Sequence, residues 1–247
     1  MKNCVLTIVL MTAVSPALCS AQSTLDDLLK KAQQATQSTN SSGRGLSNDK
    51  ITAGLKQALQ ISTGKAVAAT GRPDGFLKNA AIKILLPDKL RTVGNSLRMV
   101  GMGSQVDALE VGMNRAAEQA APAAKQIFIN ALTRMTFADA RQILSGGDTA
   151  ATDYFKRSST DQLTTAFTPI VHKSMENVGV IRQYDQMMQN PIAASFSKNQ
   201  NLNLDNYVVG KTLDGLFYML GQEEKNIRHN PAAQTTTLLK QVFGGKL

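Results

Sequence analysis

The chain holds 247 residues with 27 lysines and arginines against 18 acidic residues, a formal net charge of +9. It has no tryptophan and only 4 tyrosines but 10 methionines, and it is rich in alanine and leucine, which suits helix packing better than a sheet sandwich. The cations are scattered and no aromatic residues interleave with them, which argues against a stacking platform for nucleic acid. The basic balance reads first as a solvated surface, with an acidic partner or an anionic membrane surface as the alternatives.

Residues 1–21 read as a secretory signal peptide. Lys2 supplies a positive start, Val5 to Val14 an apolar core too short for a membrane span, and Cys19-Ser20-Ala21 a small-residue exit. Leu18 is bulky where lipoprotein processing wants a small residue, which argues against lipid anchoring at Cys19. Both cysteines, Cys4 and Cys19, fall in this segment. Cleavage near Ala21 therefore leaves no disulfide, thiolate nucleophile or cysteine metal site in a protein bound for the periplasm. Residues 22–46 follow as a flexible segment with one short amphipathic helix through Leu25, Leu28, Leu29 and Ala32.

The expected fold of 47–247 is all-α, a single multi-helix domain with at most one very short β-hairpin or extended segment near residues 82–86. A helix opens at Ser47 or Asn48 with Ile51, Leu55, Ala58 and Leu59 inward, and Gly64 permits a bend. Gly71-Arg72-Pro73-Asp74-Gly75 is a turn and Ile82 to Leu86 the strand candidate. Pro87 starts a helix with Leu90, Val93, Leu97 and Val100 inward, closed by Gly101 and Gly103.

From Val106 through Leu109, Met113, Ala117, Ala120, Ala124, Ile127 and Ala131 to Met135, small and apolar residues form one helical stripe. Ser104 with Asp107 resembles a capping box at its start, and Pro122 predicts a kink or a junction of two helices near Gln119. Thr136 and Asp139 form a second capping box before a short helix that Gly146-Gly147 ends. Asp148 is expected to cap the next helix and Ser159 with Gln162 a further one, kinked or restarted at Pro169 and ending at Gly179. Ile181 to Met188 gives another helix, broken by Asn190-Pro191. A polar loop from Ser195 to Asn203 and a long helix from Asp205 or Asn206 to Asn230-Pro231 come next. A last helix, starting within Pro231 to Thr236, buries Leu238, Leu239, Val242 and Phe243.

The segments DGFLKNAAIKILLP, MNRAAEQAAPAAK, MTFADARQILSGGDTAATDYF, LDGLFYMLGQEEKNIRHNP and TTTLLKQVFG, in this order, resemble a family of bacterial exported proteins known as domain of unknown function 4197. The resemblance runs from about Ser47 to Gly244 and implies an amino-terminal export signal, but no activity. Gln234 stands where that family often carries arginine, so the resemblance supplies no second cation there.

Four polar groups are the candidate sites. Asn114 and Glu118 share a helix face at i,i+4, and Arg115 pairs with Glu118 at i,i+3. Surrounded by alanines, they form either a polar centre in a crevice or a network that sets helix register. Asp139, Asp148, Thr149, Thr152 and Asp153 make a carboxylate-rich turn that lacks the alternate spacing of a calcium loop and fits capping better. Glu223, Glu224, Arg228 and His229 combine an i,i+4 ion pair with a histidine five or six residues from the glutamates. With no HExxH they predict no metal site. His172 reads as an isolated structural residue. Thr235, Thr236, Thr237 and Lys240, with Arg228 and His229, offer an anion site at a helix start, though ordinary capping with salt bridges to Glu223 or Glu224 explains them better.

No GxSxG, GxGxxG or P-loop occurs, so nucleotide binding and serine nucleophiles lack support and no cofactor is expected. The leading expectation is a non-enzymatic periplasmic helical domain that binds a partner protein or small ligand, in a closed pocket lined by Met113, Ala117 and Phe128 if the ligand is small. The alternatives are a carboxylate-dependent enzyme using Glu118 across a cleft from Glu223 or Glu224, and a peripheral binder of anionic membrane surfaces.

Overall fold

The computed structural model describes residues 48–189 and 203–234, together with Lys240. The expected signal peptide, flexible segment, Asn190-Pro191 break and final helix, nearly all of the expected polar loop, and Thr235 to Thr237 lie outside the described residues. The described residues form eight α-helices: α1 (Asn48–Gly71), α2 (Asp88–Met99), α3 (Gly103–Ala120), α4 (Ala124–Arg134), α5 (Phe137–Ser145), α6 (Ala150–Asn177), α7 (Val180–Gln189) and α8 (Leu204–His229). They belong to one compact unit, Ser47–Leu247. None is long and apolar enough to cross a membrane.

α6 and α8 are the axis. They pack along each other, α8 also against α1 and α3, and α6 also against α3 and α4. The pair is antiparallel: Glu224 near the end of α8 meets Ala151 at the start of α6, and His172 late in α6 meets Asp205 at the start of α8. α1 and α4 are likewise antiparallel, with Gly71 against Pro122 at one end and Lys56 against the Thr133 carbonyl at the other. Leu55, Leu109, Met113, Phe128, Phe155, Leu163, Phe167 and Leu216 are fully buried between these helices. Phe128 and Phe155 meet edge to face at 5.0 Å, a favoured aromatic geometry.

The stripe starting at Val106 divides at Pro122. α3 ends at Ala120, one turn of 3₁₀-helix spans Ala121–Ala123, and α4 resumes at Ala124. The Ser104–Asp107 capping box does not form. The helix starts at Gly103 behind Met102, which places Ser104 inside the first turn with no side chain capping it, and the Asp107 carboxylate is engaged by Arg98 of α2 at 2.8 Å. Thr136 and Asp139 do form the reciprocal box at the head of α5. No helix starts at Ser159. α6 runs unbroken for 28 residues and carries Pro169 inside it. Ala151, Phe155, Ser159, Leu163, Phe167 and Val171 are all buried at four-residue spacing, a continuous stripe that outweighs the local cap signal. Gly64 likewise sits in an uninterrupted α1.

No β-strand and no hairpin occur among the described residues. The chain from Lys83 to Pro87 is nevertheless extended, and its side chains alternate: Ile82, Ile84 and Leu86 are buried while Lys83 and Leu85 face out. It enters from a tight reversal after α1, where Asp74 adopts φ +63°. A Cβ on Gly75 would lie 2.4 Å from the Ala69 carbonyl, so only glycine passes the end of α1 there.

Candidate functional site

Asn114 and Glu118 face the segment between α1 and α2, and Glu110 joins them one turn earlier. Glu118 Oε1 accepts from the backbone N–H groups of Phe76 and Leu77, both at 3.1 Å. Asn114 accepts from the Ile84 N–H at 2.9 Å and donates to the Ile84 carbonyl and to the Glu110 carbonyl, each at 2.7 Å. Glu110 accepts from the Leu86 N–H at 3.4 Å. Three polar side chains at four-residue spacing on α3 thus take the place of a neighbouring strand along residues 76–86. A buried segment must have its backbone groups paired, which explains the polar residues on an alanine-rich face.

Arg115 extends this row outward. Its guanidinium donates to Glu118 Oε2 at 2.6 Å and to Asp74 at 2.7 Å, while Lys78 pairs with Asp74 at 2.8 Å. Asp74 is held below the usual carboxylate range, first by the Lys78 hydrogen bond and then by that of Arg115. Arg115 is pushed up, by Glu118 first and Asp74 second. Both Glu118 oxygens are therefore occupied. Glu118 lines neither the cleft beside Asp74 nor the groove described below.

Glu224 forms a second buried centre. Its carboxylate accepts from the N–H groups of Ala151 and Thr152 and from the Thr152 hydroxyl, each at 2.8 Å. A helix start leaves such N–H groups unpaired, and Glu224 caps α6 from α8 in the role expected of Asp148. Asp148 is instead bound by His229 Nε2 at 2.7 Å, and that hydrogen bond holds its carboxyl below the usual range. Arg228 donates to Glu224 at 2.9 Å and to the Ile143 carbonyl of α5 at 2.7 Å. Glu223 faces Lys65 of α1 at 3.8 Å. Glu118 and Glu224 share no hydrogen-bond partner: one serves the turn after α1, the other the start of α6. The carboxylate-rich turn thus divides among Thr136, His229 and Glu224, with Asp153 next to Thr149 at 3.4 Å. Of the anion-binding candidates, Lys240 is exposed and Thr235 and Thr236 lie outside the described residues. Met113, Ala117 and Phe128 are fully buried and packed, so they line no closed ligand pocket.

His172 is not isolated. Its Nδ1 lies 2.6 Å from Asp205 and its Nε2 3.3 Å from Glu176, an i,i+4 partner visible in the sequence. These partners raise its pKa, chiefly through the Asp205 hydrogen bond. No group of three or more histidine, cysteine or acidic side chains placed to hold a metal ion occurs among the described residues.

A large concavity involves none of these residues. A groove of about 500 Å³ runs between residues 81–88 and α8, lined by Lys83, Leu85, Arg91, Tyr207, Lys211 and Tyr218 among others. Asp214 and Tyr218 also line an adjoining cleft of about 360 Å³ that reaches Thr149 and Lys156. Leu85 and Tyr218 expose 47% and 46% of their surface, one on each side of the groove. Tyr207 spans the groove end, its hydroxyl donating to the Leu85 carbonyl at 2.9 Å. The sequence carried one signal for this wall, the outward row Tyr207, Lys211, Asp214 and Tyr218 along α8, which the inward apolar stripe overshadows.

No curated protein and no solved structure matches the chain. A family model does match, over residues 45–244. With most of its length covered, the chain belongs to the DUF4197 family, described as protein of unknown function.

Proposed function

We propose that this protein is exported to the periplasm, its signal peptide removed near Ala21, and acts there as a non-enzymatic helical binding module. Its partner seats in the groove between residues 81–88 and α8. The observation that carries this reading is the groove itself. It is open, about 500 Å³ in volume, and rimmed by exposed Leu85 and Tyr218 beside the cations Lys83, Arg91 and Lys211. Carboxylate chemistry at Glu118 draws less support, because both of its oxygens already hold structural hydrogen bonds.

A photo-crosslinking residue at Tyr218, introduced in cells, tests the groove. The expected result is one discrete adduct that disappears when Leu85→Asp is added, with no adduct from the same probe at exposed Gln126 on α4. Equal adducts at both positions, or none at Tyr218, would sink the groove as the binding surface.

One observation favours peripheral contact with an anionic membrane as a second reading. Met99 and Val100 expose 81% and 55% of their surface side by side at the corner between α2 and α3. If this corner enters a lipid surface, the protein sediments with phosphatidylglycerol vesicles. Met99→Asp or high salt then releases it. Sedimentation unaffected by either removes this reading.

A further inference from the structure

The backbone of the groove wall narrows what the groove holds. Ile84 directs both its N–H and its C=O at the Asn114 side chain, at 2.9 and 2.7 Å. In a trans peptide the carbonyl of one residue points opposite to the N–H of the next. The Lys83 carbonyl and the Leu85 N–H therefore point away from α3, toward α8 and the groove. The Tyr207 hydroxyl on the Leu85 carbonyl marks the same side. Among the described residues neither the Lys83 carbonyl nor the Leu85 N–H has a hydrogen-bond partner. Extended chain with one row of backbone groups paired and, on the opposite row, an adjacent carbonyl and N–H left open beside the Tyr207-bound Leu85 carbonyl offers a short form of the template that strand addition uses. One residue of an incoming strand, its N–H on the Lys83 carbonyl and its C=O on the Leu85 N–H, satisfies both.

The charge of the wall selects among strands. Arg91 pairs with Asp88, and Lys211 pairs with Asp214 at 3.2 Å, so these charges cancel within the wall. Lys83 has no ion-pair partner among the described residues and leaves one uncompensated positive charge beside the open backbone groups. Leu85 and Tyr218 offer apolar surface on the two sides of the groove. We propose that the groove takes an extended peptide segment of a partner protein, apolar with one carboxylate, as a strand added to Lys83–Leu85. This rests on the groove being the binding surface and adds how the partner is held.

The test uses the full chain labelled with ¹⁵N and a defined probe, a capped heptapeptide of alternating valine and threonine with one central glutamate. Two further versions carry N-methyl groups on alternate sets of backbone amides. Added peptide should shift the amide signals of Lys83, Leu85 and Lys211 and slow hydrogen exchange at the Leu85 amide. A strand uses only every second amide toward its neighbour, so one methylated version should bind about tenfold more weakly and the other as well as the parent. Leu85→Pro, which deletes the donor, should lose the peptide where Leu85→Ala keeps it, at matched melting temperatures. Equal binding of both methylated versions, with shifts still in the groove, would overturn strand addition and leave the groove reading standing. So would an absence of groove shifts while the Tyr218 crosslink persists. Failure of both the shifts and the crosslink overturns both readings. A Leu85 amide already slow to exchange before peptide is added would show that the chain covers its own edge, and overturns the proposal as well.

Discussion

Glu110, Asn114 and Glu118 each meet a backbone group that the segment after α1 would otherwise bury unpaired, and the cost of removing them follows from that. Glu118→Ala strands the N–H groups of Phe76 and Leu77 and leaves Arg115 with Asp74 as its remaining carboxylate partner. Arg115 is partly exposed and keeps Asp74, so the loss comes mainly from the two stranded N–H groups, about 1–3 kcal/mol each, and the melting temperature should fall by about 10 °C. Glu118→Gln keeps one acceptor and should lose less. An unchanged melting temperature for the alanine variant would contradict the role assigned to Glu118. Asn114→Asp is the sharper test. Aspartate can accept from the Ile84 N–H but cannot donate to the Ile84 and Glu110 carbonyls. A loss of about 2–3 kcal/mol is expected in urea unfolding despite the near-identical shape, and a neutral result would refute the bonding assigned to Asn114. The sequence placed Asn114 and Glu118 on one face and paired Arg115 with Glu118. It could not name the partners, because residues 76–86 are distant in the chain and the contact is to backbone, which has no side-chain signature.

Between elements, two contacts decide how the helices lie. Glu224 caps α6 across the fold, and Glu224→Ala removes the acceptor for Ala151 and Thr152 while taking away the carboxylate that Arg228 holds. A lost cap costs about 1 kcal/mol and a broken buried pair more. A total near 3 kcal/mol, with faster amide exchange in the first turn of α6, is expected. Exchange there at the parent rate would mean that another group caps the helix. Gly112 is the second contact: a Cβ placed on it would lie 2.1 Å from Val180 Cγ2 of α7. Val180 is β-branched and buried, so it has little room to rotate away. Gly112→Ala should cost about 1–3 kcal/mol, and Val180→Ala added to it should restore part of the loss. Were the double variant the sum of the two single losses, the close approach would not be the cause.

For the whole molecule, His172 ties α6 to the start of α8, and its protonation couples that tie to pH. Its pKa is raised in the folded state by Asp205 first and Glu176 next. A raised folded pKa means that the folded chain holds the proton more tightly than the unfolded chain does. The stabilising contribution is full below the unfolded histidine value of about 6.5 and disappears as pH climbs through the raised folded value. The parent should therefore lose stability between mildly acidic and alkaline pH, and His172→Gln should flatten that part of the profile. Parallel profiles for the two proteins would show that another group governs the slope.

The all-α class, most helix positions, the Thr136–Asp139 cap and the division at Pro122 came from periodicity and turn chemistry alone, since these depend on residues within a few positions of one another. Family membership was equally legible, carried by long motifs in order. Tertiary structure decided the rest. Asp107 turned to Arg98 instead of capping α3, Ser159 was buried within a continuous helix, Asp148 gave up its cap to Glu224, and of the hairpin or extended segment expected near residues 82–86 no hairpin formed, only an extended segment served by side chains. In each case a group had more than one possible partner, and a distant contact that only the folded chain brings close took the place of the local one. The groove belongs to that second kind, since its walls lie more than a hundred residues apart in the chain and meet only when α8 packs beside residues 81–88.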